Sequence, residues 1–231
     1  MNDVLGQAIY DYWQKQAGSR LWINNKYGPR EEMPVETYFR QEDDMPDIEW
    51  MALEQCRGKV LDIGAGAGSH ALFLQQQGFD VTAIDISPLC IKVMQERGVN
   101  KALAGDIYSF SIGKYDTLLL LMNGIGLAGT IDGLKELLIH LKKLLNTGTG
   151  GQILFDSSDI AYLYEGKLPE QGYYGEIEYQ YTYKKLKTDW FKWLYIDEHT
   201  LQSVAAECGY LMEVLIEDEY GQYLTRLTIM S

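Results

Sequence analysis

The sequence predicts an α/β fold: a doubly wound, mostly parallel sheet with helices on both faces, an antiparallel C-terminal hairpin, an N-terminal helical cap and an inserted β-hairpin. Three observations predict it. Between Val60 and Asp85 the chain reads strand, glycine loop, helix, strand, acid. From there to Phe155, short apolar runs alternate with helical stretches, as expected of parallel strands joined by crossover helices. Between residues 172 and 195 the alternation stops and period-two aromatic runs replace it. The 231 residues suit one domain of good size. Its expected division is an N-terminal helical cap or extension over 1–55 and the main domain over 56–231, with the inserted hairpin at about 172–195.

In the first fifty residues, Val4, Leu5, Ala8, Ile9, Tyr12 and Trp13 fall at helical spacing. They predict a helix over Val4–Gln16, stopped by Gly18. Tyr27-Gly28-Pro29-Arg30 reads as a turn, and no strand is evident before residue 50. Asp47–Cys56 reads as a second helix that feeds the first strand through Arg57-Gly58-Lys59.

Val60–Ile63 is that first strand. Gly64, Gly66 and Gly68 let the backbone turn sharply and approach a ligand closely. Ser69–Gln77 is a helix ended by Gly78. Val81–Ile84 is the second strand, and Asp85 stands at its end, where α/β folds hydrogen-bond a ribose. Ser87-Pro88 combines a good N-cap with proline at the first helical position, and Gly98 closes that helix. Lys101–Ala104 is the third strand, followed by Gly105-Asp106-Ile107. Tyr115–Met122 is apolar enough to be a central strand buried on both faces, and it ends at Asn123. Ile131–Leu145 is a helix with a leucine face. Gln152–Phe155 is the fifth strand, ending in Asp156-Ser157-Ser158-Asp159. Glu176–Tyr183 and Thr188–Tyr195 form the inserted hairpin around a lysine-rich turn. Asp197 caps a helix through Ala206, and Leu211–Glu217 with Tyr223–Met230 forms the closing hairpin.

The glycines fall as G-x-G-x-G, with Ser69 where a dinucleotide fingerprint has its third glycine, and Asp62 precedes the first by two residues. Together with Asp85, this pattern resembles the class I S-adenosylmethionine-dependent methyltransferases, whose first motif is acid-x-G-x-G-x-G. The resemblance runs from about Cys56 to the end. It implies a Rossmann-like sheet of seven strands and S-adenosyl-L-methionine as cofactor. It also implies a set of site residues. Gly64, Ala65, Gly66 and Gly68 would approach the methionine part. Asp62 would orient the loop or reach the cofactor ammonium through water. Asp85, with Ile86 beside it, would hold the ribose. Asp106 would take the adenine amino group and Ile107 would pack on the ring, although Gly-Asp after a strand is also a common turn. Asn123 would lie where methyl group and acceptor meet.

In that family the N-terminal segment often caps the cofactor pocket, so Tyr38 and Arg40, with Tyr12, Trp13 and Phe39, are candidates for lining the acceptor site. The competing readings are ordinary packing and a surface pairing of Arg40 with Glu42 or Asp43. His70, in the first helical turn after the loop, either contacts cofactor or acceptor or is structural. No catalytic residue is assigned, because a sulfonium is already activated and a general base is needed only for an acceptor that loses a proton. His70, His140 and His199 lack metal-ligand spacing. A magnesium-dependent reaction on strand-end carboxylates stays open.

A net charge of -13 argues against a nucleic-acid substrate. The one basic run, Lys184-Lys185-Leu186-Lys187, reads as a hairpin turn. No apolar run spans a membrane and no signal peptide is visible. Cys56, Cys90 and Cys208 form no disulfide framework. These features predict a cytoplasmic protein with buried, reduced cysteines. The expected function is methyl transfer to a small-molecule acceptor. The alternative is a nucleotide-cofactor binding protein or NAD-dependent oxidoreductase, since fold does not fix function. The aromatic content of the inserted hairpin predicts packing against a second subunit, giving a homodimer, or over the acceptor pocket.

Overall fold

The computed structural model describes residues 2–16 and 18–230. In chain order the elements are α1 (Val4–Trp13), β1 (Leu21–Asn25), β2 (Glu31–Met33), α2 (Asp47–Glu54), β3 (Lys59–Ile63), α3 (Ser69–Gln76), β4 (Asp80–Asp85), α4 (Pro88–Arg97), β5 (Ala102–Ala104), β6 (Thr117–Leu120), α5 (Ile131–Lys142), β7 (Gln152–Ser158), β8 (Glu176–Tyr183), β9 (Leu186–Lys187), β10 (Phe191–Leu194), α6 (Glu198–Glu207), β11 (Tyr210–Glu217) and β12 (Gln222–Ile229). Seven strands form one sheet in the order β11-β12-β7-β6-β3-β4-β5. The β4–β5 and β6–β7 pairs are parallel, and the closing hairpin adds β12 antiparallel to β7 and β11 antiparallel to β12. This is the predicted doubly wound sheet with its C-terminal hairpin. No described helix is long and apolar enough to cross a membrane.

The chain divides into two compact units. The first comprises Met1–Met45, Asp62–Ser109 and Glu178–Phe191. Its core joins Val4, Ala8 and Ile9 of α1 to Leu21 of β1, Cys90 and Val93 of α4, and Tyr183 of β8. β1 lies between two antiparallel partners: Leu21 faces Met33 on one side and Tyr183 on the other. Asp11, buried in α1, accepts from the Tyr183 hydroxyl and from the Lys184 ammonium. Lys184 stands in the turn between β8 and β9, so the basic run closes a hairpin as expected, and its first lysine answers a buried carboxylate.

The helix after Asp85 forms as its sequence demands. The Ser87 hydroxyl accepts from the Cys90 N–H at 3.0 Å and donates to Asp3 Oδ2 at 2.6 Å, while Gly98 ends the helix at φ 97°. Ser87→Ala removes both bonds. It should cost about 1 kcal/mol of unfolding free energy in urea titration, as cap deletions do.

The second unit comprises Pro46–Leu61, Phe110–Ile177 and Lys192–Ser231. All four residues of β6 are buried, as a strand covered on both faces requires. Leu134, Leu137, Leu138 and Leu141 are the buried stripe of α5. The Tyr210 hydroxyl donates to Leu138 O at 2.8 Å and the Tyr223 hydroxyl to Ile196 O at 2.6 Å, so these buried phenols are satisfied. Asp197 caps α6 through the Thr200 N–H at 2.9 Å.

Several expectations need correction. The first fifty residues do contain strands, β1 and β2, on either side of the predicted turn at 27–30. Their residues carry little local strand signal. β1 is held by its ladder to β8, more than 150 positions away. The N-terminal segment is therefore not wholly helical. For the same reason the inserted hairpin is not an isolated ribbon, because β8 has β1 as a ladder partner. The first helix ends at Trp13 rather than Gln16, with Lys15 turning out at φ 55°. The fourth parallel strand stops at Leu120, and Met122 and Asn123 turn at φ 59° and 53°. Asp156, Ser157 and Ser158 belong to β7, because β12 pairs with them at Leu224, Tyr223 and Gln222. Cys56 and Cys90 are buried, whereas Cys208 is only half-buried.

Candidate active site

The first unit carries the glycine loop. Gly64, Gly66 and Gly68 adopt φ of 72°, 56° and 82°, a region that costs other residues steric strain. The loop is pinned from behind. The Gly64 and Ala65 N–H groups donate to Ile84 O at 2.9 and 3.1 Å. Asp85 then organises the turn: its Oδ2 accepts from the Gly66 N–H at 2.9 Å and its Oδ1 from the Ser87 N–H at 2.8 Å. Burial raises the Asp85 carboxyl above its ordinary range, and those amides oppose the shift. Each oxygen still has a second lone pair for a ligand hydroxyl. Ile86, next along the chain, is 73% exposed, the environment of a side chain that a flat ligand can cover.

Asp62 is 2% exposed, and its Oδ2 has no hydrogen-bond partner. Desolvation raises its pKa to about 6, against the pull of His70 and the Ala71 N–H. His70 is itself buried in the first turn of α3. Beyond Gly64 the space is open: a methyl group added at its Cα would meet no heavy atom within 4 Å. At Gly66 the same methyl would come within 3.0 Å of Tyr38 Cδ1, so the tyrosine ring closes over that part of the loop. Burial raises the Tyr38 phenol well above its usual range. The Tyr38 carbonyl accepts from the Ser69 hydroxyl at 2.9 Å.

Asp106 is exposed and its Oδ1 accepts from the Tyr108 N–H at 3.0 Å, so the aspartate does form the local turn that its sequence allowed. Ile107 is buried beside it. Arg40 is half-buried and lines a groove with Phe39, Ser69 and Arg97. Sequence reading missed Arg97. Its Nη1 donates to the Ala67 carbonyl at 2.7 Å and to the Ser69 hydroxyl at 3.1 Å, and its guanidinium lies 5.0 Å from the Phe39 ring centre. As the last residue of α4 it reads as an ordinary helix-terminal cation, and only the fold brings it to the loop.

The second unit holds Asn123. Its N–H donates to Asp156 Oδ2 at 2.8 Å, its side-chain NH2 donates to Leu194 O at 3.2 Å, and its side-chain oxygen accepts from the Ser157 hydroxyl at 3.2 Å. The amide thus braces the carboxyl ends of β6 and β7. Asp156 is 1% exposed, with Oδ2 also accepting from Gln222 Nε2 at 2.9 Å and Oδ1 unpartnered. Desolvation raises its pKa to about 6. Farther along this edge, Tyr173 donates to Asp197 Oδ2 at 2.6 Å and Tyr174 to Asp159 Oδ1 at 2.7 Å, with the two rings 4.7 Å apart.

A strand-end acid gripping a positive-φ glycine loop, a buried carboxylate with an orphaned oxygen and open space beyond the first glycine define a nucleotide-cofactor-binding α/β protein. Comparison with known proteins narrows the class. The methyltransferase domain family matches residues 60–148. An S-adenosylmethionine-dependent methyltransferase from Bacteroides fragilis, crystallised with S-adenosyl-L-homocysteine, is 40% identical, with a TM-score of 0.91 over 99% of this chain and 95% of that one. Ribosomal RNA small subunit methyltransferase C of Pasteurella multocida is 30% identical over an alignment 120 residues long that covers 48% of this chain. The chain spans about a third, 35%, of that curated relative. A sugar N-methyltransferase from Streptoalloteichus, at 14% identity and a TM-score of 0.59 over 90% of this chain and 96% of that one, shares the fold. The chain belongs to the S-adenosylmethionine-dependent methyltransferases, and S-adenosyl-L-methionine is its cofactor. This answers the choice between methyl donor and nicotinamide.

Proposed function

We propose that the protein moves the methyl group of S-adenosyl-L-methionine to a small-molecule acceptor held at the carboxyl ends of β6 and β7. The observation that carries this reading is electrostatic. The chain has a net charge of -13, and the half-buried groups beside that edge, Asp159 and Asp197, both reached by the Tyr174 hydroxyl, are acidic. Such a surface repels a phosphate backbone, which proteins hold with lysine and arginine. The cofactor supplies a methyl group on a sulfonium, already activated for displacement. The chain's own part is alignment and exclusion of water.

In this reading Asp85 binds the ribose hydroxyls, Asp62 faces the ammonium, Gly64 to Gly68 carry the methionine part, and Ile86, Asp106 and Ile107 receive the adenine. Asn123 shapes the acceptor side by bracing two strand ends, its amide being spent on Ser157 and Leu194. The protein works in the cytoplasm, and residues 1–55 serve as the cap on a methyltransferase domain.

The test uses methyl-labelled S-adenosylmethionine with a cell extract separated into RNA and a low-molecular-mass fraction. Mass spectrometry should find label in the small molecules. Label confined to ribosomal RNA would overturn the proposal in favour of the activity named for the Pasteurella relative.

A further inference from the structure

The polar side chains at the ends of β6 and β7 are mostly spent on their neighbours. Asn123 gives its amide N–H to Leu194 O and its oxygen to the Ser157 hydroxyl, which also accepts from the Ile196 N–H at 3.1 Å. Asp159 and Asp197 accept from the Tyr174 and Tyr173 hydroxyls. Asp156 differs. Its Oδ2 is held by two donors, the Asn123 N–H at 2.8 Å and Gln222 Nε2 at 2.9 Å. Its Oδ1, on a side chain 1% exposed, has no hydrogen-bond partner among the described residues. A carboxylate oxygen buried without a donor costs a fold free energy that nothing within this one returns.

The carboxylate is held in place at a strand end. Leu120, the last residue of β6, lies opposite Phe155, so Asp156 stands one residue past the parallel pairing, at the edge where open α/β sheets bind ligands. The turn that supplies its backbone donor is strained. Met122 and Asn123 hold φ of 59° and 53°, a conformation that non-glycine residues keep mainly at functional sites. Few charges face the group. Gln152, on the same face of β7, reaches Gln55 O at the end of α2, so Asp156 faces α2, which carries Glu49. On β12 that face carries Arg226, whose guanidinium is turned to Gln55 and Glu213, and β6 has no charged residue. Desolvation first, and Glu49 less, place the carboxyl at about 6, a value that suits a base working near neutral pH.

The geometry points to a further catalytic residue: we infer that Asp156 Oδ1 accepts the hydrogen of the atom that is methylated, so the acceptor is an N–H or O–H compound. This rests on the reading that the acceptor lies at the ends of β6 and β7. A lone pair of the acceptor nitrogen or oxygen forms the bond to the methyl carbon. The carbon–sulfur bond breaks, its electrons stay with sulfur, and the acceptor's proton passes to Oδ1. The hold on Oδ2 fixes the carboxylate before the acceptor arrives, so Oδ1 is positioned without further reorganisation. A thioether or tertiary amine has no proton to lose and would leave Oδ1 as it is.

The experiment compares the full-length parent with Asp156→Asn, which keeps the shape and an oxygen for the Asn123 N–H. Cell extract and saturating methyl-labelled S-adenosylmethionine are incubated with each from pH 5 to 8, and total label transferred is followed. Saturation keeps changes in cofactor affinity out of the rate. The parent's rate should rise with pH through about 6 and then level. The variant should be about 100-fold slower or more at pH 8, with no such rise. Its calorimetric Kd for S-adenosylhomocysteine should stay within about twofold of the parent's, which a merely misfolded variant would not show. A variant within about threefold of the parent's rate, or a matching pH profile, would overturn the inference. Label found by mass spectrometry on sulfur or on a tertiary amine would do the same. A parent that transfers no label would overturn both this inference and the small-acceptor reading. Label in RNA with the variant still slow would overturn that reading and leave Asp156 its role. Label in small molecules at equal rates would do the reverse.

Discussion

Asp85→Ala should weaken S-adenosylhomocysteine binding by roughly 2–3 kcal/mol, the value of charge-assisted hydrogen bonds to a half-buried carboxylate. That is roughly a 30- to 150-fold rise in Kd. Two losses combine. The proposed ribose contact loses its acceptor, and the Gly66 and Ser87 N–H groups lose the oxygens that hold them. Asp85→Asn should not restore affinity, because one end of an amide presents N–H to an amide donor that needs an oxygen. Calorimetry on the folded variants decides the matter. Unchanged affinity in Asp85→Ala would place the ribose contact elsewhere and break the assignment of the loop.

The second large effect is one of stability and has the opposite sign. Asp62 is wholly buried and its pKa is raised to about 6, mainly by desolvation, from an ordinary value near 4. The folded protein therefore holds this proton more tightly than the unfolded chain does. The resulting stabilisation is complete below about pH 4 and is lost as pH rises through about 6. Two pKa units correspond to about 3 kcal/mol. Asp62→Asn removes the titration, so the variant should be more stable than the parent at pH 8 by up to about 3 kcal/mol, with the gap closing at pH 4. Denaturant titrations at the two pH values measure it. The same variant should bind S-adenosylhomocysteine less well if, as proposed, Asp62 supplies the charge toward the cofactor ammonium. A variant no more stable than the parent at pH 8 would mean that the loop compensates the Asp62 charge in a way the geometry does not reveal. Asp156, raised to about 6 by the same cause, adds to the parent's slope but not to the difference between the two proteins.

What could be read in advance was local. The spacing of Gly64, Gly66 and Gly68, the acid two residues before and Asp85 after the next strand are all encoded within 24 residues of chain, and the structure joins them through the Gly66–Asp85 bond. Ser87-Pro88 and Gly98 announced both ends of α4. What could not be read was pairing at a distance. Leu21-Trp22-Ile23 looks like part of a loop until β8 is laid beside it. Arg97 carries no sign that it will reach the Ala67 carbonyl. Asn123 stood at the expected strand end, but that its amide would be consumed by Ser157 and Leu194 depended on groups 34 and 71 positions away.

The β1–β8 ladder also sets a schedule for synthesis. Asn24 donates to the Gln180 carbonyl, 156 positions later in the chain. At about 5–20 residues per second, a ribosome needs roughly 8–30 seconds to make that partner. Until then Leu21, Trp22 and Ile23 have β2 on one side and an open edge on the other. Unpaired strand edges recruit other chains. Nascent copies on one messenger are thus exposed to each other for most of the time that each takes to be made. A truncated product ending before residue 176 would never leave that state.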